Sequence, residues 1–400
     1  MTTRISTTHL YDASIDALMH RQREMSEAQR QLTTGKRINL ASDDPAAAAR
    51  AERALARELH TDANLRAVQS SRSNMELTEA TLGSATELLQ QAREAILAAG
   101  NAAYSDAERA RLGEALVPIR NQLLALANSA DGAGRALFGG QGASAPPFID
   151  APGGVQFRGM LGQLAAGGEP GLMLSMDGAG VWLSGPSGNG VFETRAATST
   201  GAAWIDAGSV TDPGSLTGST YSVQFAVAAG VTTYSVLRDG GATALSGVAY
   251  TPGRAIEIDG IALRVHGAPA DGDMFEAVPS APDSSAFNVL DRAAAALRTP
   301  QRSAAQIQQA LSRDLRDVDA VLGHLQVARA QAGQALNRLD GTDARLADAK
   351  LQAQGERSQA EDLDMIEAIS KFQARQVGYD AALKAYSSVQ RLSLFQYINP

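Results

Sequence analysis

The stretch YDASIDALMHRQREMSEAQRQL (11–32) places Tyr11, Ile15, Leu18, Gln22, Met25, Gln29 and Leu32 at spacings that alternate four and three. Toward the other end, MIEAISKFQARQVGYDAALKAYSSVQ (365–390) does the same with Met365, Ile369, Phe372, Gln376, Tyr379, Leu383, Tyr386 and Gln390. This alternation sets every one of these residues on a narrow helical stripe, the geometry of a coiled-coil seam. A stripe that narrow cannot close a globular core by itself, so each helix requires a partner helix. The plainer reading is an amphipathic helix folded against its own domain. Against it, Gln22, Gln29, Gln376 and Gln390 occupy seam positions, where a polar side chain weakens a private core but can set register between chains. The two stripes are therefore the candidate assembly interface. Helices gain most of their stability from packing, so these two are expected to be marginal in an isolated chain and to order on joining neighbours.

Working inward, the first seam stops at Gly35, where a glycine suits the left-handed residue after a helix, and Lys36 and Arg37 follow. A polar break, INLASDD (38–44), leads to Asp44-Pro45, an N-cap followed by proline at the first helical position. Further on, Val68, Met75, Leu82, Leu89 and Ile96 stand seven apart, and the companion positions Ser71, Thr78, Ala85, Ala92 and Ala99 are small, which permits close helix approach. After a break at 100–105 another helix is expected over about 106–130, kinked or cut short at Pro118. From about Ser284 helices return. Leu311, Leu315, Val318, Leu322, Leu325, Arg329, Ala332, Leu336 and Leu339 keep the 4-3 rhythm, with Gly341 and Gly355 as candidate interruptions before the terminal seam.

Between the two helical parts the period changes to two. DGAGRALFGGQGASAPPF (131–148) is a boundary of Gly and Pro punctuation. Leu172, Leu174 and Met176 alternate before a turn-like Asp177-Gly178-Ala179-Gly180, and Tyr221, Val223, Phe225 and Val227 alternate again. Ile256 and Ile258 lead to Asp259-Gly260 and then Leu263 and Val265, a hairpin signal. The expected fold is α+β: an elongated rod whose long helical coiled coil and bundle is formed by both chain ends, with an inserted β-rich domain. The expected divisions are 1–44 with 362–400 as a terminal assembly region, 45–140 with 284–361 as a helical bundle, and 141–283 as the β domain.

Composition narrows the function classes. The chain has no cysteine, so neither disulfides nor thiolate metal sites are possible, and its five histidines are scattered with no pair at ligand spacing. No run approaches the apolar length of a membrane span, and the first twenty residues lack a continuous apolar core, so a cleaved secretory signal is not expected. Of the net charge of −8, all lies between 141 and 283, where 13 acidic residues face 5 basic ones. Neutral ends can pack on copies of themselves without long-range repulsion, and nothing forms the basic patch that nucleic acid requires.

No catalytic, cofactor or metal site is expected. Asp43-Asp44 could be an acid/base or metal pair, but adjacent residues rarely converge on one ligand and a helix N-terminus favours acids. Asp271-Gly272-Asp273 with Glu276 resembles a calcium loop only superficially, lacking the further spaced ligands. Gly185-Pro186-Ser187-Gly188-Asn189-Gly190 is neither a phosphate loop nor a nucleophile elbow.

Residues 32–49, LTTGKRINLASDDPAAAA, resemble the flagellin superfamily at Leu32, Gly35, Lys36, Arg37, Ile38, Asn39, Asp43 and Asp44. Within it, Pro45 followed by alanines is more similar to the hook–filament junction branch than to flagellin itself. GRALFGG (134–140) with Pro147-Phe148, Gly272-Asp273-Met274-Phe275 and Ser393-Leu394-Phe395-Gln396-Tyr397-Ile398 resemble further segments of that branch, although Ala136 departs from its usual aromatic. The resemblance implies an extracellular structural subunit, exported unfolded through the flagellar type III apparatus. Its implied partners are copies of itself, the hook-side junction protein, flagellin, and a cytosolic export chaperone at the C-terminal helix. Three alternatives stay open: a flagellin that forms the filament, a coiled-coil tip or translocator of another type III apparatus, and a β domain that engages an external ligand.

Overall fold

In the computed structural model, which describes residues 7–166, 172–200 and 202–398 (the side chains of 7–11, 143–145 and 389–398 excepted), seven α-helices frame a β-rich middle. They are α1 (Thr7–Thr34), α2 (Pro45–Ala99), α3 (Asp106–Ala127), α4 (Gly178–Trp182), α5 (Ala286–Arg298), α6 (Ala304–Glu361) and α7 (Met365–Ile398). The order helices, strands, helices makes this an α+β chain with an inserted β-rich domain. The chain divides into two compact units, residues 67–342 and the pair of segments 1–66 and 343–400.

In the unit 67–342, α2 buries the row read from sequence: Val68, Met75, Leu82, Leu89 and Ile96 are almost wholly enclosed, and so are Ser71, Thr78, Ala85, Ala92 and Ala99. From Leu82 to Ala99 this row shares a core with Leu116 and Leu123 of α3, Phe287, Leu290 and Ala293 of α5, and Val318, Leu325 and Ala332 of α6. A Cβ added at Gly113 of α3 would stand 3.0 Å from the Ala294 carbonyl oxygen, so a bare backbone is what lets α3 lie this close to α5. α3 starts at a capping box: Ser105 and Glu108 each bond the other's backbone amide, at 3.4 and 2.7 Å.

Two expected helix breaks do not form. Of the kink or break expected at Pro118, the break is corrected, because α3 continues through it to Ala127. α6 continues through Gly341 and Gly355 and ends only at Glu361. A Cβ at either glycine would meet nothing within 4 Å, so each costs about 1 kcal/mol of propensity and loses no packing, too little to break a 58-residue helix. The turn-like Asp177–Gly180 takes helical form, with Gly178 opening the short helix α4. There a Cβ on Gly178 would lie 2.1 Å from the Phe138 carbonyl, and Trp182 stacks on Phe287 and meets Phe138 edge-on in the helical core.

The β domain has its own core. The strands Val231–Arg238, Tyr221–Ala228, Met274–Pro279 and Phe192–Thr198 lie side by side, all antiparallel. A second sheet orders Ala255–Ile258, Ile261–Ala268 and Ala202–Ile205. Their inner residues, Phe192, Ile205, Val223, Phe225, Val236, Leu263, Val265 and Phe275, close together. Asp259-Gly260 is the expected hairpin turn, both residues at positive φ (44° and 79°), and a Cβ at Gly260 would stand 2.2 Å from the Asp212 carbonyl.

α6 holds this domain through polar bonds. Gln309 accepts from the Ile205 amide at 2.9 Å, and Arg316 donates to the carbonyl and hydroxyl of Thr194 at 3.2 and 2.9 Å. Beside Arg316, the nearly enclosed Asp314 and Asp317 pair with Arg313, Arg292 and Arg316 itself. Burial pushes the Asp314 carboxyl above the usual carboxylate range, against the pull of Arg313 and Arg292.

Candidate assembly site

In the unit formed by 1–66 and 343–400, α1 and α7 pack on one another, the pairing that their seams demand. The contact uses part of each seam. On α1, Ile15, Leu18, Met25 and Leu32 are half-buried, while Gln22 and Gln29 are exposed. On α7, Phe372, Tyr379 and Tyr386 are half-buried, while Met365, Ile369 and Leu383 stay 45%, 45% and 40% exposed and Gln376 is exposed too. The side chains of Tyr11 and Gln390, and those of the Ser393–Ile398 motif, lie outside the described residues.

The residues that complete the intramolecular face are ones the seam reading left out. Ala28 and Ala368 are nearly enclosed. Arg375 reaches across to donate 3.0 Å to the Glu24 carbonyl. Gly378 leaves room for the Arg21 guanidinium, which a Cβ there would meet at 2.6 Å. At 100° per residue this face is turned some 60° from the predicted stripes. The signal for it was a parallel 4-3 row through Leu18, Arg21, Met25, Ala28 and Leu32, hidden by its small and basic members. What remains open on α7 is a second apolar strip, Met365, Ile366, Ile369, Val377 and Leu383, with Ile366 85% and Val377 69% exposed.

The two inter-helix turns lock together. The Arg37 amide donates to the Glu361 carbonyl at 2.6 Å, the Leu363 amide to the Gly35 carbonyl at 3.0 Å, and Lys36 faces Asp362 in a short antiparallel bridge. Arg37 also donates from its side chain to the Ala360 carbonyl at 2.7 Å and pairs with Asp44 at 3.4 Å. Lys36 reaches Glu361 at 3.1 Å. Gly35 makes this possible by taking φ +70°. Ile38 is buried, and Asn39 donates to the Lys36 carbonyl at 3.2 Å.

Asp44 caps α2, and Asp43 ties together the turn before it. Asp43 accepts from the Leu40 and Asn39 amides at 2.9 and 3.0 Å, and Asp44 from the Ala47 amide at 3.0 Å as Pro45 opens α2. The Leu40 and Asn39 amides hold the Asp43 carboxyl below its ordinary range, and the Ala47 amide does the same to Asp44. Asp273 is likewise consumed by structure, accepting from Thr200 and Ala270 amides at 2.7 and 2.8 Å, while Glu276 pairs with Arg195. Among the described residues no group of three or more His, Asp and Glu side chains could hold a metal ion, and no helix is long and apolar enough to cross a membrane.

This site offers surface: a helix pair with exposed apolar strips, hung on a doubly bridged turn. Known proteins carry the same parts. The bacterial flagellin N-terminal helical region matches residues 5–143, and the flagellin C-terminal helical region matches residues 315–398. Flagellar hook-associated protein 3 of Salmonella typhimurium is 26% identical over 98% of this chain and 99% of its own length. The crystal structure of flagellar hook-associated protein-3 from Legionella pneumophila superposes with a TM-score of 0.71 at 26% identity, covering 76% of this chain and 97% of that one. Flagellin A of Vibrio cholerae matches over only 29% of this chain and 31% of its own length, at 29% identity. With both terminal helical regions in place and their caps, bridge and helix pair formed by its own residues, the chain belongs to the bacterial flagellin family.

Proposed function

We propose that this chain is the structural subunit that joins hook to filament in the bacterial flagellum. One observation carries the proposal: likeness to hook-associated protein 3 runs the full length of both chains, whereas likeness to Vibrio cholerae flagellin A covers about a third of either. The subunit works mechanically and catalyses nothing. Its terminal region, 1–44 with 362–400, packs against copies of itself, against the hook-side junction protein and against flagellin. Residues 45–140 with 284–361 form the supporting bundle, and 141–283 the β domain.

The exposed halves of the seams support this reading. Gln22, Gln29, Met365, Ile369, Gln376 and Leu383 are left open by the α1–α7 pair, and an apolar strip left open along a helix is what a neighbouring subunit would cover. The subunit is extracellular and leaves the cell without a cleaved signal, its α7 held beforehand by a cytosolic export chaperone.

Electron microscopy of the purified protein, seeded with sheared hook fragments and then supplied with flagellin, tests the function. Short caps that stop growing alone and restore flagellin growth are expected. Long filaments of this protein alone would make it a flagellin, and no binding to any fragment would overturn the flagellar reading.

A further inference from the structure

The exposed face of α2 near its start carries Arg50, Arg53 and Arg57, at i, i+3 and i+7 on one stripe. With α6 they line an open groove of about 790 Å³ whose wall includes Ala56 and Ala360 beside Glu356 and Gln359. Arg57 is held by Glu356 across the groove. Arg53 spends only its Nε, on the Ala49 carbonyl at 3.0 Å, and among the described residues neither Arg50 nor Arg53 has a carboxylate partner. Unpaired guanidinium groups beside alanine side chains fit a partner with an apolar tip and an acidic rim.

The same unit presents one. At the turn from α6 to α7, Ile366 projects 85% exposed, and the exposed carboxylates of Asp362, Asp364 and Glu367 surround it in sequence. Asp364 caps α7 through the Ile366 and Glu367 amides, at 3.0 and 3.1 Å, which fixes the corner's shape. Segments 1–66 and 343–400 carry 17 basic and 17 acidic side chains, so basic groove and acidic corner balance within one neutral surface. Ala360, which lines the groove, lies six residues before Ile366, so groove and corner are neighbours along the chain.

We propose that the Ile366 corner of one copy docks in the Arg50–Arg53–Arg57 groove of the next. Each copy offers one groove and one corner, so the contact is head-to-tail and repeats from copy to copy around a layer. Complementary charge aligns the copies, and Ile366 on Ala56 and Ala360 excludes water between them. The inference rests on the assembly reading above and names the contact that reading leaves open.

The absence of cysteine gives a clean test. The full chain carrying Ala56→Cys and Ile366→Cys, oxidised at high protein concentration and low salt, is expected to form a ladder of covalent multimers. Adding Arg50→Glu with Arg53→Glu, or Asp362→Arg with Glu367→Arg, should cut the cross-linked fraction about tenfold in either variant alone. Mixing the two charge variants should restore it, because each reversed groove then meets a reversed corner and each native groove a native corner. A monomer cross-linked only to itself, no ladder at any concentration, or a mixture no better than its parts overturns the proposal. Binding of the uncross-linked wild type to hook fragments is scored separately. A ladder without that binding would defeat the flagellar function and leave this contact standing, and binding without rescue would do the reverse.

Discussion

The Arg37 amide and the Glu361 carbonyl, 2.6 Å apart, join two turns that the chain reaches more than three hundred residues apart. Around that bond the Arg37 guanidinium takes the Ala360 carbonyl, and Gly35 takes the Leu363 amide. The terminal helices are thereby clamped at their root, while their far ends depend on each other.

Arg37→Ala should loosen this root without melting the bundle. It removes a charge-assisted bond to Ala360 from a side chain that is nearly half exposed, a loss of about 1 kcal/mol. Hydrogen exchange at the Leu363 amide should speed up about fivefold, with amides in the core of 67–342 unchanged.

Asp43 and Asp44 have carboxyls lowered by amide bonds. A lowered native value means the unfolded turn binds protons more readily than the folded one. The two carboxylates therefore contribute stability above the ordinary carboxylate range near pH 4, and lose it as pH falls through their native values. Asp43→Asn with Asp44→Asn should lower exchange protection across 38–47 near neutrality and flatten its acid limb. An unaltered acid limb would show that these two are not the titrating groups.

Asp314 has the opposite sign. Burial raises its carboxyl, so whatever its protonated form adds is present below the ordinary carboxylate range and lost as pH rises through the raised value. Arg313 and Arg292 are partly exposed and can be solvated without it. Asp314→Asn should leave the urea midpoint at pH 7 equal or higher and remove its rise toward acid.

Leu89 is wholly enclosed by the helical core. Leu89→Ala should cost about 2–5 kcal/mol, read as a lower urea midpoint of the helical signal. Gly260→Val should instead strike the β domain, since its Cβ has only 2.2 Å to the Asp212 carbonyl. Trp182 lies in the helical core and Trp204 on a β-domain strand, so fluorescence in Trp204→Phe and Trp182→Phe backgrounds separates the two transitions.

Leu383→Asp and Phe372→Asp divide the seam. Leu383 is 40% exposed on α7, whereas Phe372 is half-buried. The first should leave the monomer's helicity intact yet abolish incorporation into flagella, and the second should lower helicity in the isolated chain as well. Equal loss of helicity would mean that the exposed strip is not held for neighbours.

Much of this was legible in the sequence. The seven-residue row from Val68 to Ile96, its small companions, the Asp44-Pro45 start and the Asp259-Gly260 hairpin each follow from local periodicity or turn chemistry, and each formed as read. The α+β class followed from the switch of period. Errors arose where tertiary context overrode a local breaker: Pro118, Gly341 and Gly355 look like stops but sit in helices long enough to absorb them. Asp177–Gly180 has turn residues but lies against Phe138, which only the fold reveals. At the assembly site, seven-residue spacing located the stripe but not its rotation. Ala28, Ala368 and Gly378 mark the true line of approach by being small, and hydrophobicity alone passes over such residues.

The bridge between residues 35–37 and 361–363 also fixes an order of events in folding. It closes a loop that contains almost the whole chain, and the entropy of so wide a closure is recovered only after the enclosed segments have condensed. α1 is made before α7, and its extended packing partner among the described residues is α7. It therefore waits through the synthesis of everything between them for its native neighbour, and until then its sticky side is available to anything else in reach.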